Sequence, residues 1–237
     1  MIYGTNGRET QEAMQRIITH ENWIGGLPDP VREAVLARMV ERVVEPGEII
    51  AEAGRDATRI FQVVEGYVRL TGLHEDGSEA LITIYVSGNC YAETAMVSRR
   101  PYNHSSYAMV RSCIRSLHER DFWNLYHSHS AIPEALCRKF SDAISRQLAA
   151  RETRATTRLR FQIASMFADF AERCARGPAH GEIQLDFPFT QSDIASIFDV
   201  TRQSVQREIT YFKDQQLVEK RDGAWVVIDL KRLRHTA

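Results

Sequence analysis

Hydrophobic and polar positions follow different rhythms in successive parts of the chain. Between Glu45 and Met96 the apolar runs are short: Ile49-Ile50, Ile60 to Val64, Tyr67 to Leu70 and Leu81 to Val86. Gly47, Gly54, Gly66, Gly77 and Gly88 punctuate them. Turn signals at roughly 8–12-residue spacing predict an antiparallel β sandwich or roll, with Glu75-Asp76-Gly77-Ser78 as a hairpin turn. Ahead of it, Pro30 to Val43 reads as a helix, with Pro30 in its first turn and Val31, Val35, Leu36 and Met39 on its apolar face. Beyond it the period becomes helical. Asp121 to His127 is a short helix, and Pro133 opens a longer one that runs to about Arg154. Within it Leu136, Phe140, Ala143, Gln147 and Ala150 step by four and three, with Ile144 and Leu148 alongside. This heptad-like seam predicts a two-helix dimer contact through Leu136, Phe140, Ile144, Gln147 and Leu148, or a helix laid against its own roll. Thr156-Thr157 reads as a hinge and cap. Leu159 to Ala175 is a further helix with Ile163, Met166, Phe167 and Phe170 inward, ended by Gly177-Pro178.

The stretch Thr190 to Lys213, TQSDIASIFDVTRQSVQREITYFK, predicts two short helices joined by a tight turn. Thr190 is placed to cap the first, with Asp193 three residues on in the capping-box position. Asp199-Val200 makes the turn and Thr201 caps the second helix. There Val205, Ile209 and Phe212 form one buried stripe, while Arg202, Gln203, Gln206, Arg207 and Thr210 point the other way over roughly 140° of arc. Arginine can donate two hydrogen bonds to guanine, and glutamine pairs with adenine in the same forked manner. A short helix with Arg and Gln on one face suits a DNA major groove; the plainer alternative is a solvated amphipathic face. Leu217 to Arg221, the pair Asp222-Gly223, and Ala224 to Ile228 then read as a β-hairpin. Such a hairpin is a wing, with Lys220 and Arg221 near its tip able to meet phosphates, or a cover for the core.

Composition narrows the function class. At 237 residues and 43% hydrophobic content the chain has room for one large or two modest domains. No apolar run nears the ~20 residues that span a bilayer, and no signal-peptide pattern opens the sequence, so a cytoplasmic protein with no membrane partner is expected. Cys90, Cys113, Cys137 and Cys174 lie far apart and form no C-x-x-C pair, so no metal site is expected. The net charge of −1 conceals a gradient: residues 1–130 hold 13 basic and 17 acidic side chains, residues 200–237 hold 8 and 5. The mild basic excess sits with the helix pair and hairpin. His127 and His129 are two apart on a helix and face different ways. No nucleophile–base pair or phosphate-cradling glycine loop is visible, so no catalytic residue is expected and the chain does not read as an enzyme.

A β-roll, a long helix and a winged helix in that order resemble the cyclic-AMP receptor protein/FNR (CRP/FNR) superfamily of bacterial transcription regulators, over Trp23 to about Leu233. The residues that carry the resemblance are Pro46-Gly47, Val64-Glu65-Gly66, Ser87-Gly88-Asn89 and Thr190 to Val218. It implies an α+β fold, with a sensing roll at residues 1–130, a dimerisation helix at 131–155 and a winged helix-turn-helix at 156–237. It also implies a homodimer, an effector in each roll, RNA polymerase as a partner, and promoter DNA read by Arg202, Gln203, Gln206 and Arg207. Many members have Glu at the second of these positions; Gln203 departs from that, so their target sequence does not transfer.

The effector region departs as well. Cyclic-nucleotide binders of the family carry a Gly-Glu pair followed about ten residues later by Arg-Ser. Here the matching stretches are Tyr91-Ala92-Glu93-Thr94 and Tyr102-Asn103-His104-Ser105-Ser106. Glu93 is kept, but the arginine position falls on Asn103 or His104, and a phosphate calls for a permanent forked cation. The region is similar instead to the branch that senses phenolic or other aromatic compounds, exemplified by halophenol-responsive regulators. On that resemblance Tyr91, Glu93, Tyr102, His104, Ser105 and Tyr107 are the candidate effector residues and no bound cofactor is expected. The alternatives are that the tyrosines only pack the roll, that the roll binds a cyclic nucleotide, that Cys90 or His104 ligates a haem, or that the chain is a regulatory subunit that does not bind DNA.

Overall fold

The computed structural model describes residues 22–73, 79–174, 181–185 and 188–236. The expected turn at 75–78 and the helix end at Gly177-Pro178 lie outside them. The chain divides into two compact units at Ser141/Asp142, inside the long helix.

The first unit is a β-roll. Its strands are β1 (Val40–Val44), β2 (Ile49–Ala51), β3 (Arg59–Glu65), β4 (Val68–Leu73), β5 (Glu79–Tyr85), β6 (Cys90–Tyr91), β7 (Ser105–Ala108) and β8 (Ser112–His118). They form two antiparallel four-stranded sheets, ordered β1-β8-β3-β6 and β2-β7-β4-β5. Strand periodicity sends neighbouring side chains to opposite faces. Phe61 therefore joins Val63, Val68, Tyr91, Tyr102 and Ile114 in the roll interior, while Ile60 joins Trp23, Leu117, Phe122 and Leu136 in a second cluster. That cluster is roofed by helices α1 (Asp29–Leu36), α2 (Glu93–Ser98), α3 (Glu119–Ser128) and the first turns of α4 (Ala131–Thr156). Gly66 makes one tight turn possible. Its φ is +92°, and a Cβ there would lie 2.2 Å from Ser112 Oγ.

The helix expected over Pro30–Val43 ends at Leu36. Val40–Val44 is instead strand β1, in register with Ser112–Ser116. Its three valines suit a pleated surface better than a helix, and the ladder to β8 supplies the partners that periodicity alone does not reveal. α4 matches the predicted long helix, with one correction on its face. Leu136 is 2% exposed in the roll's own cluster, and Phe140 packs against the same cluster, so these two serve the subunit's core. Ile144 (59% exposed), Leu148 (63%) and Gln147 stay on the surface.

The second unit holds α5 (Leu159–Cys174), β9 (Ile183–Leu185), α6 (Gln191–Phe198), α7 (Arg202–Asp214), β10 (Val218–Arg221), β11 (Ala224–Val227) and α8 (Leu230–Arg234). The hairpin turn is Asp222-Gly223, both at positive φ (48° and 86°), as a two-residue loop requires. β9 adds a third strand in the order β10-β11-β9. Trp225 at the centre of this sheet packs on Phe167 and Phe189, and its buried Nε1–H donates to the Phe189 carbonyl at 2.8 Å.

Candidate functional site

The helix pair is built by its caps. Thr190 Oγ1 accepts from the Asp193 amide at 3.1 Å, and Asp193 Oδ2 accepts from the Thr190 amide at 2.7 Å, completing the capping box. Asp199, at φ 55°, ends α6 in the left-handed region. Thr201 Oγ1 accepts from the Ser204 amide at 3.2 Å and starts α7. On α7, Val205, Ile209 and Phe212 are buried, while Arg202, Gln203, Gln206, Arg207 and Thr210 are exposed. Arg202 and Arg207 have no ion-pair partner among the described residues; Arg207 makes only a long contact, 3.4 Å, to Ser204 Oγ. The inner side of α7 is clamped. Arg160 of α5 donates to Glu208 at 2.6 Å, and its guanidinium lies 3.6 Å from the Tyr211 ring centroid. Thr190, Ser192, Arg202, Gln206 and Lys220 line one concavity, which brings the start of α6, the α7 face and the wing together. It carries two cations beside the N-terminus of α6, an arrangement suited to a phosphate.

Arg221 is less available than the sequence implies. It makes a forked ion pair with Glu182, one arm at 2.9 Å, and also bonds Glu219. These carboxylates, Glu182 first, raise its already high pKa further. Lys220 leans over Trp225, 5.5 Å from the ring centroid.

Inside the roll lies a cavity of about 110 Å³. Tyr91, Tyr102 and His104 line it as expected, joined by Leu70, Tyr85 and Ser106. Tyr91 is sandwiched between Tyr85 (centroids 4.7 Å, 9°) and Phe61 (5.2 Å, 24°). The Tyr102 hydroxyl is occupied: it donates to the Arg59 carbonyl at 2.8 Å and accepts from the Arg59 amide at 3.0 Å. Burial raises the pKa of both phenols and lowers that of His104. Three expected residues lie elsewhere. On β7, Ser106 and Ala108 point inward, so Ser105 and Tyr107 face out; Ser105 accepts from the Ala53 amide and Tyr107 donates to Glu79. The period-2 rule applied to β7 finds Ser106 in place of Ser105. Glu93 is 2% exposed but absent from the cavity wall. Its carboxylate accepts from Trp23 Nε1 at 2.7 Å and from Lys139 Nζ at 2.8 Å, and the same ammonium donates to the Cys90 carbonyl at 2.6 Å.

Residues 41–129 match the cyclic nucleotide-binding domain family, and residues 162–236 match the Crp-like helix-turn-helix domain family. The chain belongs to the CRP/FNR family.

Solved CRP/FNR-type structures share the fold. A Ruegeria pomeroyi protein named for cyclic nucleotide binding has a TM-score of 0.70 at 20% identity, covering 97% of this chain and 98% of its own. A CRP/FNR-family transcriptional regulator from Thermus thermophilus gives 0.65 at 20%, covering 83% and 97%. The c-di-GMP-responsive global regulator CLP of Xanthomonas campestris gives 0.66 at 16%, covering 85% and 100%. No curated protein matches the sequence significantly. CRP/FNR proteins are transcription regulators rather than enzymes. Among the described residues no group of three potential metal ligands comes together, and no helix is long and apolar enough to cross a membrane.

Proposed function

We propose that this CRP/FNR chain is a ligand-responsive, homodimeric regulator that reads a pseudo-palindromic promoter site with Arg202, Gln203, Gln206 and Arg207. The observation that carries this reading is the polarity of α7: one face is buried and clamped through Glu208 and Tyr211, and the opposite face presents two arginines and two glutamines to solvent. Thr190, Thr201 and Lys220 border that face and take phosphates, and Arg221 does so by exchanging an exposed carboxylate pair for a phosphate pair. The dimer forms through α4. Cys137, Ser141, Ile144 and Leu148 are exposed and follow one another at steps of four, three and four, the spacing of a coiled-coil seam. Only one arrangement of the pair sets the two recognition helices ~34 Å apart, one turn of DNA.

The sensing half comprises residues 1–130, α4 the dimerisation helix, and 156–237 the reading half. A small organic effector, aromatic or phenolic, occupies the roll cavity against Tyr85, Tyr91 and Tyr102. It shifts the population of DNA-competent dimers about the Arg154–Thr157 segment. A cyclic nucleotide is disfavoured because Glu93, the residue that would hold its ribose, is committed to Lys139 and Trp23. The regulator acts in the cytoplasm with RNA polymerase as its partner. Footprinting of the promoter upstream of its own gene, with and without a panel of phenols, is the test. A protected two-fold site with half-sites one helical turn apart is the expected result; absence of any protection refutes the reading.

A further inference from the structure

Three properties of the roll cavity bear on the charge of its ligand. The first is size. About 110 Å³ is on the scale of the ~150 Å³ cavity that accepts benzene, room for one ring and far short of a purine with its ribose phosphate. The second is an orphan donor. Tyr91 is 3% exposed, and among the described residues its hydroxyl meets no partner in good hydrogen-bond geometry. Ser106 is the side chain beside it, close enough to act against the rise in its pKa, but its oxygen already accepts from the Ala51 amide at 3.1 Å. A buried hydroxyl left without a partner is costly, and a ligand acceptor in the cavity facing the Tyr91 hydroxyl would relieve it. The third is the absence of a counter-charge. Among the described residues lining the cavity there is no Lys, Arg, Asp or Glu. His104 is held toward its neutral form by burial. The one buried ammonium beside α2, Lys139, is turned to Glu93 and the Cys90 carbonyl.

We infer that the roll cavity takes a small uncharged single-ring molecule, seated among Leu70, Tyr85 and Tyr102 and accepting a hydrogen bond from the Tyr91 hydroxyl, and that it rejects carboxylates and phosphates. An anion there would be buried with neutral donors alone. This rests on the regulatory reading above and narrows the ligand class of the same site. Titration calorimetry of the full-length protein with phenol, benzoate and 3′,5′-cyclic AMP tests it. Phenol binds once per chain, at least tenfold tighter than benzoate, and cyclic AMP gives no heat. Tyr91→Phe weakens phenol roughly three- to tenfold, the range of one lost hydrogen bond. Tyr107→Phe, on the outer face of β7, leaves phenol affinity unchanged. Benzoate or cyclic AMP binding as tightly as phenol, no phenol binding at all, or a Tyr91→Phe protein with unaltered affinity overturns the inference. The promoter footprint separates the two levels: protection without phenol binding sinks the ligand class alone, and phenol binding without protection sinks the regulatory reading alone.

Discussion

Replacing Lys139 by Met tests how the first turns of α4 are held to the roll. The two side chains of the Glu93–Lys139 pair are 2% and 7% exposed, and their charged atoms are 2.8 Å apart. Methionine keeps the length and apolar stem of lysine, so packing around the stem is largely preserved. What remains is a buried carboxylate that, among the described residues, has the Trp23 N–H as its side-chain donor and no paired cation, together with a Cys90 carbonyl that has lost a donor. Removing one partner of a buried pair costs about 3–5 kcal/mol, a large part of the roughly 5–15 kcal/mol that stabilises a domain. At about 3–5 °C per kcal/mol for a domain of this size, the first unit melts roughly 10–20 °C lower. Lys139→Met with Glu93→Gln removes both charges; the amide still accepts from Trp23, and stability returns to within about 1–2 kcal/mol of the starting protein. Calorimetric melting and urea unfolding followed by circular dichroism measure both proteins. A single variant within about 1 kcal/mol of the starting protein, or a double variant no more stable than the single, refutes the reasoning.

Arg202→Ala and Arg207→Ala each lower operator affinity by about 1–3 kcal/mol and relax preference at one base pair, read by gel shift on base-substituted sites. Gly66→Ala, which sets a Cβ 2.2 Å from Ser112 Oγ at φ +92°, destabilises the roll by more than the roughly 1–2 kcal/mol of a left-handed alanine alone, seen as a lower urea midpoint. His104 has a folded pKa below its ordinary 6.5 through burial; its contribution to stability is present above pH 6.5 and is lost as pH falls through the folded value, so His104→Gln flattens urea stability measured across that window. Ile144→Asp with Leu148→Asp leaves the melting of the roll unchanged, because both side chains are exposed. The pair breaks the dimer in sedimentation, each lost contact being worth up to about 1.5–3 kcal/mol.

The α+β architecture was legible because its signals are local. Thr190 and Asp193 cap α6, Asp222-Gly223 turns the wing, and Val205, Ile209 and Phe212 mark the buried side of α7. What escaped was non-local. β1 was read as helix because its partner β8 lies some seventy residues away in sequence. β7, β8 and β9 carry Ser, Arg and Gln, so no apolar run announces them; they are strands because a neighbouring ladder satisfies their backbone. Within the effector region, aromatic character near Glu93 marks Tyr91, Tyr102 and His104, all on the cavity wall. It also marks Tyr107 and Ser105, which the alternation of β7 turns outward, and leaves out Tyr85, which lies only eight residues before Glu93 but at the end of an apolar run that reads simply as a strand, and which stacks on Tyr91.

Glu93 separates a motif from the job its side chain does. Its neighbours Ala92, Thr94 and Ala95 line the cavity, so this segment borders whatever would occupy the roll. The carboxylate itself is held on the other side by Trp23 and Lys139. The acidic residue is therefore retained where a nucleotide binder uses one, but it joins α2 to α4. A rigid link in that place has a physical consequence. A ligand that displaces Ala92 or Ala95 by a fraction of an ångström must move the carboxylate, lengthen a buried ion pair, or carry Lys139 along with it. In a low-dielectric setting the second course is the expensive one, so motion of α2 is passed to α4. On the proposed reading, an effector needs no direct contact with the long helix to be felt by it.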